Sequence, residues 1–205
     1  MQTTINKNLP ILAGLGFACI FGLSFLFTAE ALDFIDTFHL LCLRFSFAFL
    51  TMILLKLFKV INVTFSKDMF QKEVLLLILF QPLLYFSAEN IGVYLTSSSQ
   101  AGLILAIVPI LTAVLGGLFL KEYPQKAQVP FIIFSVLGVI LIVFMQGKGE
   151  LTGDFLGSLL LMCAALAASG FKILSRKLSK KHSALETTFY MMFWGSLVFT
   201  TISLS

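Results

Sequence analysis

Apolar residues run through this chain in blocks of about 20, and the short stretches between them collect Lys, Asp, Glu, Gly and Pro. A helix rises about 1.5 Å per residue, so about 20 apolar residues match the hydrocarbon core of a bilayer. The blocks predict seven membrane-spanning helices, at 9–30, 37–58, 73–96, 97–120, 128–146, 154–175 and 185–204. No connection between them is long enough for a separate soluble domain. Pro10 and Pro130 stand near helix starts, where a missing N–H costs little. Pro82 and Pro109 stand inside the third and fourth blocks, near mid-bilayer. There a proline removes a backbone hydrogen bond and opens or kinks the helix, which makes both positions candidate hinges. The expected fold is all-α, a polytopic membrane helix bundle.

Composition agrees with this pattern. Of 205 residues, 59% are hydrophobic and 12% charged, more apolar surface than so few polar groups can cover in water. Cys19, Cys42 and Cys163 fall inside apolar blocks without CxxC or Cys/His spacing, and they read as small core residues. Lys7 before an apolar run and the small-x-small Ala29-Glu30-Ala31 imitate a signal peptide. The apolar stretch is too long for a typical signal and six blocks follow it, so it is read as an uncleaved helix.

If the seven helices alternate in direction, the connections sort onto two sides. One side receives Lys7, then Lys56, Lys59, Lys67 and Lys72, then Lys121 and Lys126, then Lys172, Arg176, Lys177, Lys180 and Lys181. That is twelve of the chain's fourteen cations, and the opposite connections hold only Lys148. The positive-inside rule therefore places the N-terminus in the cytoplasm of a multi-pass protein of the cell membrane. The net charge of +4 is accounted for by orientation in a bilayer with anionic lipids, without nucleic acid. The first connection, EALDFID, offers Glu30, Asp33 and Asp36 to the outside.

Sliding the chain against itself by 145 residues lays ACIFGLSF (18–25) over CAALAASG (163–170), with Ser24 over Ser169. The first and sixth helices cross in opposite directions, and their following loops carry opposite charge. Similar segments of opposed sense are the mark of an inverted-topology repeat, an arrangement of secondary transporters. FGLSFLFTAEAL, LRFSFAFL, SSSQAGLILAIVPILTAVLGGLFLKEYP and FSVLGVILIVF resemble the first repeat of an EamA-type transporter of the drug/metabolite transporter superfamily. The resemblance covers 9–146 as a first five-helix repeat and 153–205 as two helices of a second. It implies two inverted five-helix repeats around a central cavity, and export or exchange of amino acids, metabolites or drugs. On that pattern the last three helices are missing.

Candidate site residues are the polar groups inside apolar blocks. Arg44 and Glu89 each lie about 10 Å below the outer ends of the second and third helices, at matched depth. A lone charge at bilayer depth costs a few kcal/mol, so a partner or a polar cavity is required. Gln81, Tyr85 and Glu89 are spaced by four, which places them on one helix side, with Asn90 turned away by about 100° toward a neighbouring helix. On the functional reading these five line a solute route, with Arg44 or Glu89 meeting a charged solute group or a coupling proton. The alternative is an internal ion pair that fixes the second helix against the third. Gly14, Ala18 and Gly22 on the first helix, and Ala106, Ala113, Gly116 and Gly117 around Pro109, form smooth faces suited to close packing. TSSSQ (96–100) reads as a helix cap or an outer gate, and Lys121-Glu122 as a solvated pair. His39 and His182 have no metal-like spacing.

Catalytic signatures such as HExxH or GxSxG are absent, no cofactor is expected, and an enzyme is not indicated. A seven-helix receptor would want an outside N-terminus. A partner-dependent subunit, completed by a second copy as a homodimer or by further helices, stays open. The leading expectation is a secondary transporter exporting small molecules through a central polar cavity. Compartment reporters fused at the N-terminus and after Phe58 are expected to report the cytosol. A reporter found outside the cell would overturn the assigned orientation.

Overall fold

The computed structural model describes residues 9–122, scattered positions between 127 and 137, and residues 155–204. Its described residues contain helices and no strand. Helix α1 is Leu9–Leu32 and α2 is Thr37–Leu57; Asp36 caps α2 by accepting from Phe38 N at 3.0 Å. The third span comprises α3 (Lys72–Ile78) and α4 (Tyr85–Leu95), and the fourth comprises α5 (Ser98–Leu105) and α6 (Val108–Leu115). Two long helices follow, α7 (Phe155–Leu178) and α8 (Ala184–Ser203). A reciprocal Ser183–Glu186 capping box starts α8.

Among the described residues, five stretches are long and apolar enough to cross a membrane: 14–32, 37–57, 72–95, 98–120 and 155–178. Helix α8 has 20 residues, but its serines and threonines dilute its apolarity. The predicted helix at 128–146 lies largely outside the described residues. Predicted ends hold to within a few residues. Helix α1 continues to Leu32, so Glu30 belongs to its last turn rather than to the following connection. Helix α7 continues to Leu178, taking Arg176 and Lys177 into its last turn, where cations suit the helix dipole.

Both internal prolines fall at breaks. At Gln81 the backbone is extended (φ −148°, ψ 121°) between α3 and α4. Pro109 lies in the first turn of α6, just past the interruption at Ala106–Ile107. A proline lacks the N–H that would continue the preceding turn, and the chain restarts its helix after it. The fourth span ends in a wide turn, Gly116–Leu120, closed by Lys121 in the left-handed conformation (φ 57°).

Two helix pairs build the bundle. Helix α7 packs most extensively on α4, and also on α6 and α5. Gly92 and Gly157 bring α4 and α7 together: a Cβ added to Gly157 would lie 2.5 Å from Thr96 Cγ2 and 2.9 Å from Leu95 Cβ. Below this contact, Leu161, Ala164 and Ala165 are fully buried. Helix α2 packs on α8, where Gly195 lies under the Phe45 ring and hydroxyl contacts join Ser46 to Ser196 (3.1 Å) and Cys42 Sγ to Thr200 (3.4 Å). Small residues let apolar helices approach without a hydrophobic force between them. The smooth face of α1 is not used this way, because nothing lies within 4 Å of a Cβ added at Gly14 or Gly22. Cys19 and Cys163, read as core residues, are exposed on the outside of the bundle, where small apolar side chains can face lipid as easily as a core.

The connections sort as the charge pattern predicts. At one end, Val63 and Met69 are buried against the ends of α7 and α8, and Phe65 packs on Phe189 at 4.9 Å between ring centroids. Lys56 Nζ rests 5.2 Å above the Phe65 ring. Glu122 pairs there with Arg176 at 2.8 Å, so the partner of Glu122 is α7 rather than solvent or Lys121. At the opposite end the 33–36 connection and the end of α4 line a common cavity. The second, fourth and sixth connections therefore share one end, and the first and third share the other.

Replacing Gly157 by alanine is expected to destabilise the bundle by about 1–3 kcal/mol, the usual cost of overpacking. Gly102→Ala, where nothing lies within 4 Å, should be neutral or stabilising. Thermal unfolding in detergent compares the two. Equal midpoints would show that the α4–α7 contact is not limiting.

Candidate functional site

The polar cluster sits on the first two turns of α4, where the helix restarts after Pro82. Tyr85 and Glu89 are spaced by one turn, and Tyr85 Oη donates to Glu89 Oε1 at 3.1 Å. Both are buried, at 4% and 6% exposure. Glu89 Oε2 is buried and has no hydrogen-bond partner. Asn90 is fully buried; its Nδ2 donates to Phe86 O at 2.7 Å, and its Oδ1 has no partner. Two acceptor oxygens on consecutive residues are thus withdrawn from water and left open, a costly arrangement unless something else donates to them.

Arg44 is half-buried on α2 and turns toward α1. Its Nη2 donates to Thr28 Oγ1 at 2.8 Å and lies 3.4 Å from Ser24 Oγ. Its Cζ is 5.9 Å from the centre of the Phe86 ring. The direct Arg44–Glu89 ion pair that matched depth suggests is not formed among the described residues. The polar stripe is also shorter than its spacing predicts. Gln81 is half-buried in the extended segment before Pro82, and the break between it and Tyr85 removes it from the face that carries Glu89. Pro82 is buried and Pro109 exposed.

Thr28 and Ser24 were not among the residues singled out for the site. Their signal was available: they are one turn apart, near the outer end of the first block, at about the depth of Arg44. On α7, buried Ser169 donates to Ala165 O at 2.8 Å and reaches Val108 O at 3.3 Å, a packing role. At the outer helix ends, Ser97 caps α5 by accepting from Gln100 N, and Gln100 Nε2 donates to Ser158 of α7 at 3.0 Å. A cavity of about 560 Å³ opens at this end among Asp33, Asp36, Thr37, Ile91 and Tyr94. No group of three metal-ligating side chains occurs among the described residues. His39 is exposed beside Asp36 (3.7 Å), and His182 is buried near Tyr190 with Nε2 unpartnered.

The arrangement supplies hydrogen-bond acceptors, one carboxyl group, one guanidinium and aromatic ring faces inside an apolar bundle. It can hold a polar solute group or a proton, and it offers no nucleophile–base pair for covalent chemistry.

Comparison with known proteins gives a consistent result. The EamA-like transporter family matches residues 8–144. The chain is 35% identical over 194 residues to the uncharacterized transporter YcxC of Bacillus subtilis (strain 168), covering 94% of this chain and 62% of that protein. It is 31% identical over 117 residues to the uncharacterized transporter YyaM of the same organism, covering 56% of this chain and 38% of that protein. An uncharacterized transporter of Archaeoglobus fulgidus is 27% identical over 108 residues, covering 53% of this chain and 37% of that protein. The chain thus spans about three-fifths or less of the length of these relatives. No solved structure gives a significant match. These relatives are named as transporters and not as enzymes, and the matched residues carry the paired polar helices and both proline breaks. The chain belongs to the EamA-like transporter family.

Proposed function

We propose that the chain forms the solute-handling part of a secondary transporter that exports small polar or amphipathic molecules, such as metabolites, amino acids or drugs, across the cell membrane. Glu89, Arg44, Gln81, Tyr85 and Asn90 line the route, and Pro82 and Pro109 act as the helix hinges of alternating access. The observation that carries this reading is Glu89: a carboxyl group 6% exposed inside an apolar helix, with one oxygen held by Tyr85 and the other open. A group with a purely structural role is better served by closing both oxygens, because an open buried acceptor costs about 1–3 kcal/mol. A group that must receive a proton or a solute donor needs one free.

The reading includes seven helices in an inverted repeat with a cytoplasmic N-terminus. It is supported by the gathering of the basic connections at one end and by the alignment of Ser24 with Ser169 on oppositely directed helices. Coupling to protons belongs to the same reading, since a carboxyl group at this depth changes charge at least cost when it exchanges a proton.

Reconstituted in proteoliposomes, Glu89→Gln is expected to insert normally and to lose proton-coupled flux, so that its residual flux no longer varies with pH. Normal pH-dependent flux in that variant would reduce Glu89 to scaffolding. Arg44→Ala removes charge-assisted hydrogen bonds to α1 and should lower stability by about 1.5–3 kcal/mol, more than Glu89→Gln does. Thermal unfolding in detergent tests the order of the two.

A further inference from the structure

Arg44 meets two helices, α1 through hydrogen bonds and α4 through the ring of Phe86. Its bonds go to the neutral hydroxyls of Thr28 and Ser24 on α1. Neutral hydroxyls solvate a guanidinium but do not cancel its charge, whereas a carboxylate would. Glu89 stands about one turn beyond Phe86 on α4, and its Oε2 is buried and unpartnered. Phe86, on the same helix as Glu89, presents its ring 5.9 Å from Arg44 Cζ. A ring face keeps favourable contact with a guanidinium as it moves. Thr28, 4% exposed, is pre-set to receive the cation, because its own proton is donated to Ser24 O at 2.7 Å and only lone pairs remain for Arg44.

We propose that Thr28 and Ser24 form a docking site for Arg44, and that the guanidinium alternates between this dock on α1 and Glu89 on α4 according to whether Glu89 carries a proton. The proposal deepens the transport reading and rests on its assignment of Glu89 as a proton-carrying group. With Glu89 protonated, its pull on Arg44 is gone and the dock holds the cation, which is the arrangement in the structure. With Glu89 ionised, attraction between opposite charges in an apolar interior outweighs two hydrogen bonds to neutral oxygens, and Arg44 crosses along Phe86 to α4. Thr28 and Ser24 are positioning residues that act through Arg44. Tyr85 on its own helix is hydrogen-bonded to Glu89, and Arg44 from α2 meets the same part of α4 at the Phe86 ring. Helix α1 offers Ser24, Phe25 and Thr28 there, and α7 its leucine and alanines between 161 and 168, none of which changes charge near neutrality.

Each crossing exchanges a tie between α2 and α1 for a tie between α2 and α4. Helix α1 packs less extensively on α2 than on α5 or α4. The Arg44–Thr28 bond is therefore a principal polar link across a thin contact, and its release frees α1 from α2. Proton arrival at one residue would thus be read as a change in which helices are joined, a two-state element of the kind that alternating access needs.

Solid-state NMR on the full chain in lipid bilayers tests the exchange. Label is placed in the guanidinium of arginine, the carboxyl carbon of glutamate and the side chain of threonine. The chain has two arginines, and Arg176 beside Glu122 at 2.8 Å supplies a reference signal. An Arg44–Thr28 contact at acidic pH, replaced by an Arg44–Glu89 contact at alkaline pH, is expected. Glu89→Gln should keep the threonine contact across the whole range. Thr28→Val should lose the acidic-pH contact and keep the alkaline one. A threonine contact unchanged from acidic to alkaline pH in the unaltered chain would overturn the proposal without any variant having to fold. So would a second arginine–glutamate contact that survives Glu89→Gln. A missing exchange with pH-dependent flux that still requires Glu89 would remove the dock and leave the transport reading. Exchange with normal flux in Glu89→Gln would do the reverse.

Discussion

The contact between Gly92 and Gly157 sets the geometry on which the candidate site depends. With no Cβ on either residue, α4 and α7 approach until Leu161 covers Gly92 and the side chains of Leu95 and Thr96 cover Gly157. That approach holds α7 against the turn that carries Tyr85 and Glu89, and it seals their side chains from water and lipid. Burial of the carboxyl group therefore follows from steric fit at two glycines one turn or more away. A single added methyl at this point meets atoms belonging to backbone-proximal positions, which cannot swing aside as the end of a long side chain could.

Much of this architecture is legible in the sequence because bilayer physics leaves few choices. Apolar blocks become helices since no other open structure satisfies its backbone in lipid. The second, fourth and sixth connections, rich in lysine, share one end, and Pro82 and Pro109 fall where their spans are interrupted. The Tyr85–Glu89 contact also follows from spacing alone. Other features were out of reach because they depend on which helices are neighbours. Matched depth gave Arg44 and Glu89 the opportunity to pair, but depth says nothing about azimuth, and Arg44 is turned toward Thr28. Gln81 shows a different limit. Its spacing from Tyr85 implies a shared face only on a continuous helix, and the proline next to it removes that continuity. The exposure of Cys19 and Cys163 could not be read either, because in lipid an apolar residue satisfies the same pattern facing in or out.

The structure also changes the meaning of the small residues. Stripes on α1 and around Pro109 looked alike with those that make real contacts. Among the described residues, Gly92, Gly157 and Gly195 would bring an added Cβ within 3.0 Å of a neighbour, and Gly170 would press on the Phe80 ring at 3.0 Å. Gly170 faces the ring of Phe80, and Gly195 that of Phe45, so aromatic rings as well as backbones occupy the space that glycine leaves. A glycine in a membrane helix becomes informative when its partner is known.

Helices α2 and α8 are keyed together by Gly195 under Phe45 and by paired hydroxyls, and α4 and α7 by their glycines. Contact between the two pairs is sparser. Arg44 rides on the first block and Glu89 on the second, with no bond between them to fix their separation. Interaction between opposite charges varies inversely with distance and is weakly screened away from water. Whenever Glu89 is ionised, a shift of one block against the other does mechanical work on a charged pair, and the bundle then has the makings of a spring whose stiffness is electrical.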